Sequence, residues 1–116
     1  MRNIVVLDNL SLLVDRNGSG PSFVWGHGLT SSMELEGDLL DFNWASIAAH
    51  TEVIRYDARG HGRSTLTPEL SDYSWQCLAE DQLALADALD VTTYIAGGAS
   101  MGAGTALHAA VAAPSR

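Results

Sequence analysis

Apolar and polar positions in this chain fall into short blocks whose period changes along its length. Ile4 to Leu7 and Leu10 to Val14 are brief runs rich in β-branched residues and leucine, separated by Asp8-Asn9, and this pattern predicts a hairpin. Asn17-Gly18-Ser19-Gly20-Pro21 predicts a turn, and Ser22-Phe23-Val24-Trp25 a strand that ends at Gly26-His27-Gly28. Residues 29–43 read as a long acidic connection carrying Glu34, Glu36, Asp38 and Asp41. It is either a solvated surface loop or a rim to whatever site the preceding loop builds. Trp44 to His50 predicts a short helix with Trp44, Ile47 and Ala48 on one face, and Val53 to Tyr56 a strand. Ser74 to Asp90 is the clearest helix, with Leu78, Leu85 and Leu89 as its buried stripe and Glu80, Asp81 and Asp87 off it. Thr92 to Ala96 predicts a buried strand. Gly97-Gly98 then leads through Ser100 into an alanine-rich helix, Met101 to Ala113, stopped by Pro114. After the hairpin, strand and helix alternate three times, which predicts an α/β fold with a parallel sheet and helices on its faces.

Composition narrows the chemistry. With 116 residues, 47% of them hydrophobic, the chain can bury one core. A net charge of -8 argues against attraction to nucleic acid or an anionic membrane. All six basic residues are arginine, so a P-loop lysine, a Schiff-base lysine and a Ser-Lys dyad are excluded. A single cysteine, Cys77, excludes an internal disulfide and a cysteine-rich zinc site, and no metal or other cofactor is expected. No apolar run approaches the ~18 residues of a membrane span. Asp8 interrupts the N-terminal apolar stretch too early for a signal peptide, which makes a cytoplasmic location the default expectation.

Three motifs carry the candidate chemistry. In Gly98-Ala99-Ser100-Met101-Gly102, small residues flank a serine between a strand and a helix. A sharp turn there lifts the hydroxyl above the sheet and needs small neighbours, while the helix N-terminus favours developing negative charge. Gly26-His27-Gly28-Leu29-Thr30 follows another strand. Acyl transfer needs two amide donors for its oxyanion, and Met101 and Leu29 are the candidates. Arg55-Tyr56-Asp57-Ala58-Arg59-Gly60-His61-Gly62-Arg63-Ser64 is a tight loop that Asp57 and the arginines are expected to fix by charge-assisted hydrogen bonds. His27 and His61 are read as loop-fixing rather than catalytic, and the glycine spacing does not suit a dinucleotide.

In this order the motifs resemble the α/β-hydrolase superfamily, nearest to its small esterase, lactonase and peroxidase-like members. Leu78-Ala79-Glu80-Asp81-Gln82-Leu83-Ala84 is similar to the family's helix before the nucleophile strand. The resemblance implies the N-terminal part of that fold: a hairpin, then three parallel strands with flanking helices. It implies Ser100 as nucleophile and Leu29 and Met101 as oxyanion-hole amides. Dehalogenase and epoxide-hydrolase members carry aspartate at the nucleophile position; serine favours acyl chemistry on a small ester or lactone.

The family's triad runs serine, then acid, then histidine in chain order. Only His108 follows Ser100, roughly 12 Å along the helix at 1.5 Å per residue, and no carboxylate does. The base and its acid are therefore expected outside residues 1–116, as one partial domain. The nucleophile strand is expected at an open sheet edge, free for self-association or a complementing chain. Three functions follow: a serine hydrolase whose isolated chain is inactive, a non-catalytic fragment or interaction piece, or a cofactor-free serine peroxidase or perhydrolase.

Overall fold

The computed structural model describes residues 1–39 and 42–116. Asp8, at positive φ, turns β1 (Arg2–Leu7) back onto β2 (Leu10–Gly18) as an antiparallel hairpin with Leu7 opposite Leu10. β3 (Ser22–Gly26) pairs in parallel with β4 (Glu52–Tyr56) on one side and with β5 (Ile95–Gly98) on the other. The sheet order is β1-β2-β4-β3-β5, so β5 lies at an edge and Ile95 is exposed. This is the α/β arrangement expected from the alternation of elements.

Alternation along the strands sends side chains to opposite faces. Leu12, Val14, Val24, Ile54 and Tyr56 share one buried cluster with Leu78, Leu85 and Ala86 of α3 (Trp75–Ala88) and Met101 of α4 (Met101–Ala112). Ser74 caps α3 by accepting the Cys77 N–H at 3.2 Å. Trp25 and Arg55 lie on the other face. There Trp25 Nε1 donates to the Glu36 carboxylate at 3.0 Å, and Arg55 reaches both Glu36 and the Met33 carbonyl. Arg55 also lies over the Trp44 ring, 4.4 Å from its centroid.

Three details differ from the sequence expectation. The acidic connection contains a helix, α1 (Met33–Leu39), ahead of α2 (Trp44–Ala48). Glu36 is buried beneath it instead of rimming a site, because Arg55 and Trp25 supply its partners. Asp41 lies outside the described residues. Asp81 is buried, not on a solvated face, since Arg59 holds its carboxylate through two bonds of 2.9 Å. The strand before the serine is not buried, because β5 lies at the sheet edge with Ile95 and Ala96 exposed, and it runs Ile95–Gly98, displaced from the expected Thr92–Ala96. Arg116 donates to the Val91 and Thr92 carbonyls at 2.7 Å, which keeps that stretch in a loop.

β3 and α4 approach so closely that side chains are excluded between them. A Cβ on Gly102 would lie 1.9 Å from the Gly26 carbonyl oxygen, and one on Gly98 would lie 2.2 Å from the Gly102 carbonyl carbon. Gly102→Ala is therefore expected to destabilise the protein by about 3 kcal/mol or to prevent folding, as overpacking against backbone has no flexible neighbour to yield. Gly37→Ala, in α1 with nothing within 4 Å, is expected to be neutral or stabilising by up to ~1 kcal/mol. Urea unfolding of the two variants side by side tests the contrast.

Candidate active site

The sharp connection between β5 and α4 places Ser100. Its backbone has φ 52° and ψ -109°, a left-handed conformation that serine seldom adopts and that costs on the order of 1–3 kcal/mol. Surrounding contacts hold it there. The Ala99 N–H donates to the Gly26 carbonyl at 3.0 Å, Gly102 N–H to the Ala99 carbonyl at 2.9 Å, and Gly104 N–H to the Ser100 carbonyl at 3.0 Å. The Ser100 side chain makes no capping bond to the helix and the residue is exposed. The strand–turn–helix context expected for the Gly98–Gly102 motif is present.

The loop after β3 runs past this serine. A Cβ on Gly28 would lie 3.7 Å from the Ser100 Cβ. Leu29 follows, exposed, and Thr30 has positive φ. Ser100, Leu29 and Met101, the three site residues singled out from sequence, line one cavity of about 620 Å³. Met101 opens α4, where a helix leaves its first N–H groups without intrahelical acceptors. Among the described residues, neither the Met101 nor the Leu29 N–H is committed to a protein acceptor.

Two histidines lock the loops around the cavity. Buried His27 accepts the Ala58 N–H on Nε2 at 2.9 Å and donates from Nδ1 to the Gly28 carbonyl at 2.7 Å. His61 accepts the Thr30 N–H on Nε2 at 3.1 Å and donates from Nδ1 to the Arg59 carbonyl at 2.8 Å. Both rings are therefore neutral, with the proton on Nδ1 and no lone pair free for the serine. Asp57 completes the lock: its carboxylate accepts the Met33 N–H at 2.9 Å and the Arg63 N–H at 3.0 Å. His108 stacks on Trp75, with ring centroids 5.4 Å apart. His50 lies in the turn after α2 and does not line the cavity. Among the described residues, no group of three His, Cys, Asp or Glu side chains is placed to hold a metal ion, and no helix is long and apolar enough to cross a membrane.

The family model described as alpha/beta hydrolase fold matches residues 21–116, which include all three motifs. The chain belongs to the alpha/beta hydrolase fold family. An epoxide hydrolase of Caballeronia sordidicola is 28% identical over 117 residues, covering 97% of this chain and 33% of that protein. The solved structure of E-2-(acetamidomethylene)succinate hydrolase superposes with a TM-score of 0.84 at 28% identity, covering 99% of this chain and 41% of its own. A hydrolase from Pseudomonas aeruginosa gives a TM-score of 0.84 at 28% identity, covering 99% and 42%. This alpha/beta hydrolase chain thus spans well under half the length of these relatives.

The cavity also has walls that sequence reasoning passed over, Tyr73 and Trp75, beside Gly104, which belongs to the run of small residues around Ser100. A glycine one helical turn after the serine was the available signal, since glycine inside a helix needs a local reason.

Burial holds His27 below the ordinary imidazole range, and the Gly28 carbonyl opposes this only in part. Unfolded, His27 titrates near 6.5; folded, it titrates lower. As pH falls through 6.5, the unfolded chain takes up a proton that the folded chain does not, so stability declines. The urea midpoint is expected to drop between pH 7 and pH 5. In His27→Gln the decline should be shallower, from a lower starting midpoint. An identical pH slope in both proteins would show that His27 does not contribute to it.

Proposed function

We propose that this chain supplies the nucleophile and the oxyanion site of a serine hydrolase acting on carboxylic esters or lactones. The observation that carries the reading is the meeting of three features at one cavity: the exposed left-handed Ser100, the uncommitted Leu29 and Met101 N–H groups, and the N-terminus of α4. A hydroxyl in that position suits acyl transfer. Ser100 Oγ would attack the carbonyl carbon as its proton passes to a base, and the carbonyl electron pair would move onto oxygen. The two N–H groups would receive that oxyanion, each worth on the order of 10²- to 10³-fold in rate. Collapse would expel the alcohol, or open the lactone, and leave acyl-Ser100 for hydrolysis by water.

The proton acceptor is the part these residues do not furnish. His27 and His61 spend both ring nitrogens on backbone, and His108 lies against Trp75. We infer that base and acid come from sequence outside these 116 residues, and that the chain by itself has no turnover beyond a residual background rate. The epoxide hydrolase among the relatives marks the neighbouring chemistry, and the hydroxyl nucleophile supports the acyl route over it.

A fluorophosphonate probe is expected to label Ser100 in a full-length hydrolase carrying this chain, with labelling lost in Ser100→Ala. A folded protein that stays unlabelled overturns the proposal. The 116 residues alone are expected to hydrolyse p-nitrophenyl acetate at least about 100-fold more slowly than the full-length protein, the usual scale of general-base assistance.

A further inference from the structure

We propose that the cavity beside Ser100 selects an uncharged aromatic group on the substrate, held flat against Trp75, with Gly104 setting the position of the indole. This inference deepens the serine-hydrolase reading and rests on it for the reaction, though not for the binding.

Ser100, Gly104 and His108 follow one another at four-residue intervals along one face of α4, one above the next. Trp75, the first residue of α3, lies on that face. Its ring plane is 3° from the plane of His108, with centroids 5.4 Å apart. Over Gly104 the indole comes so close that a Cβ there would lie 2.5 Å from Cζ3 and 2.6 Å from Cη2. Only glycine lets the ring settle this low, one turn from the serine. Trp75 lines the Ser100 cavity and, although its ring stacks on His108, the residue stays 45% exposed. An indole that shares the serine's cavity offers an apolar, planar surface suited to stacking.

The rest of the wall is chemically quiet. The Tyr73 hydroxyl accepts the Thr67 N–H at 3.1 Å and donates to the Thr67 carbonyl at 2.8 Å, leaving only its ring to the cavity. The His61 nitrogens are both spent on backbone. Leu29, Leu78 and Met101 are apolar. Away from the Leu29 and Met101 N–H groups at the serine, the described residues lining the cavity include no arginine and no carboxylate, so a charged substrate group seated at the Trp75 end would lose water without gaining a counter-ion. The volume of about 620 Å³ accommodates an aryl ring together with the reacting carbonyl.

Acetanilide, a neutral aryl amide, and 4-acetamidobenzoate, its carboxylate counterpart, test the site through binding. Each is titrated into ¹⁵N-labelled protein while the Met101 and Gly104 amide resonances are followed. Acetanilide is expected to shift both and to bind at least about tenfold more tightly than 4-acetamidobenzoate. Trp75→Ala should weaken acetanilide roughly tenfold, and Trp75→Phe should restore most of the loss. Gly104→Val should displace the indole and abolish the Met101 shift. Equal binding of the two ligands overturns the proposal, as does unchanged acetanilide affinity in Trp75→Ala. Because binding needs no reactive serine, selective acetanilide binding in a protein that resists fluorophosphonate would sink the hydrolase reading and leave the aromatic site standing.

Discussion

The contact on which the rest of the structure depends is the backbone-to-backbone approach of β3 and α4 at Gly26, Gly98 and Gly102. With no side chain between them, helix and strand come close enough for the Ala99 N–H to reach the Gly26 carbonyl. That bond and the two that follow it fix the connection in which Ser100 is held left-handed. The same approach brings the loop after β3 alongside the serine, so that Gly28 runs past it and Leu29 lines its cavity. One steric condition therefore sets both the nucleophile candidate and its nearest backbone donors.

A second layer of bonds keeps those donors in place. Asp57 ties the start of α1 to the loop after β4, and His27 and His61 tie that loop to the one after β3. Almost all of these bonds end on backbone N–H or C=O groups. The loops are thus braced by buried, neutral or fully partnered polar groups, the arrangement in which low dielectric strengthens hydrogen bonds instead of penalising them. Arg59 and Asp81 extend the brace onto α3 through a bidentate pair.

Sequence reasoning reached furthest where the signal is local. Asp8-Asn9 between two apolar runs marks the hairpin, and the glycines around Ser100 mark the strand-to-helix turn. It reached least far where burial is decided by a distant partner. Glu36 and Asp81 look like surface charges until Arg55 and Arg59 are brought beside them. Thr92 and Thr93 have β-branched propensity, yet Arg116 and the end of α3 hold them in a bend. Trp75 shows no periodic reason to matter, because its role depends on a glycine in another helix. The family resemblance was legible because it rests on three local motifs in a fixed order. The aromatic wall belongs to no motif.

The left-handed serine also has a consequence for folding and for local stability. Gly26 and Gly102 are far apart in sequence, so bringing them together closes a long loop, whereas the β1–β2 hairpin needs only neighbours. A strained turn held by such long-range contacts adds its strain to the free energy favouring local opening. The geometry at Ser100 thus rests on a contact of high sequence separation, the kind whose closure costs the most chain entropy. Parting β3 from α4 would release that strain together with their packing, so the geometry at Ser100 lasts only as long as the two elements stay in contact.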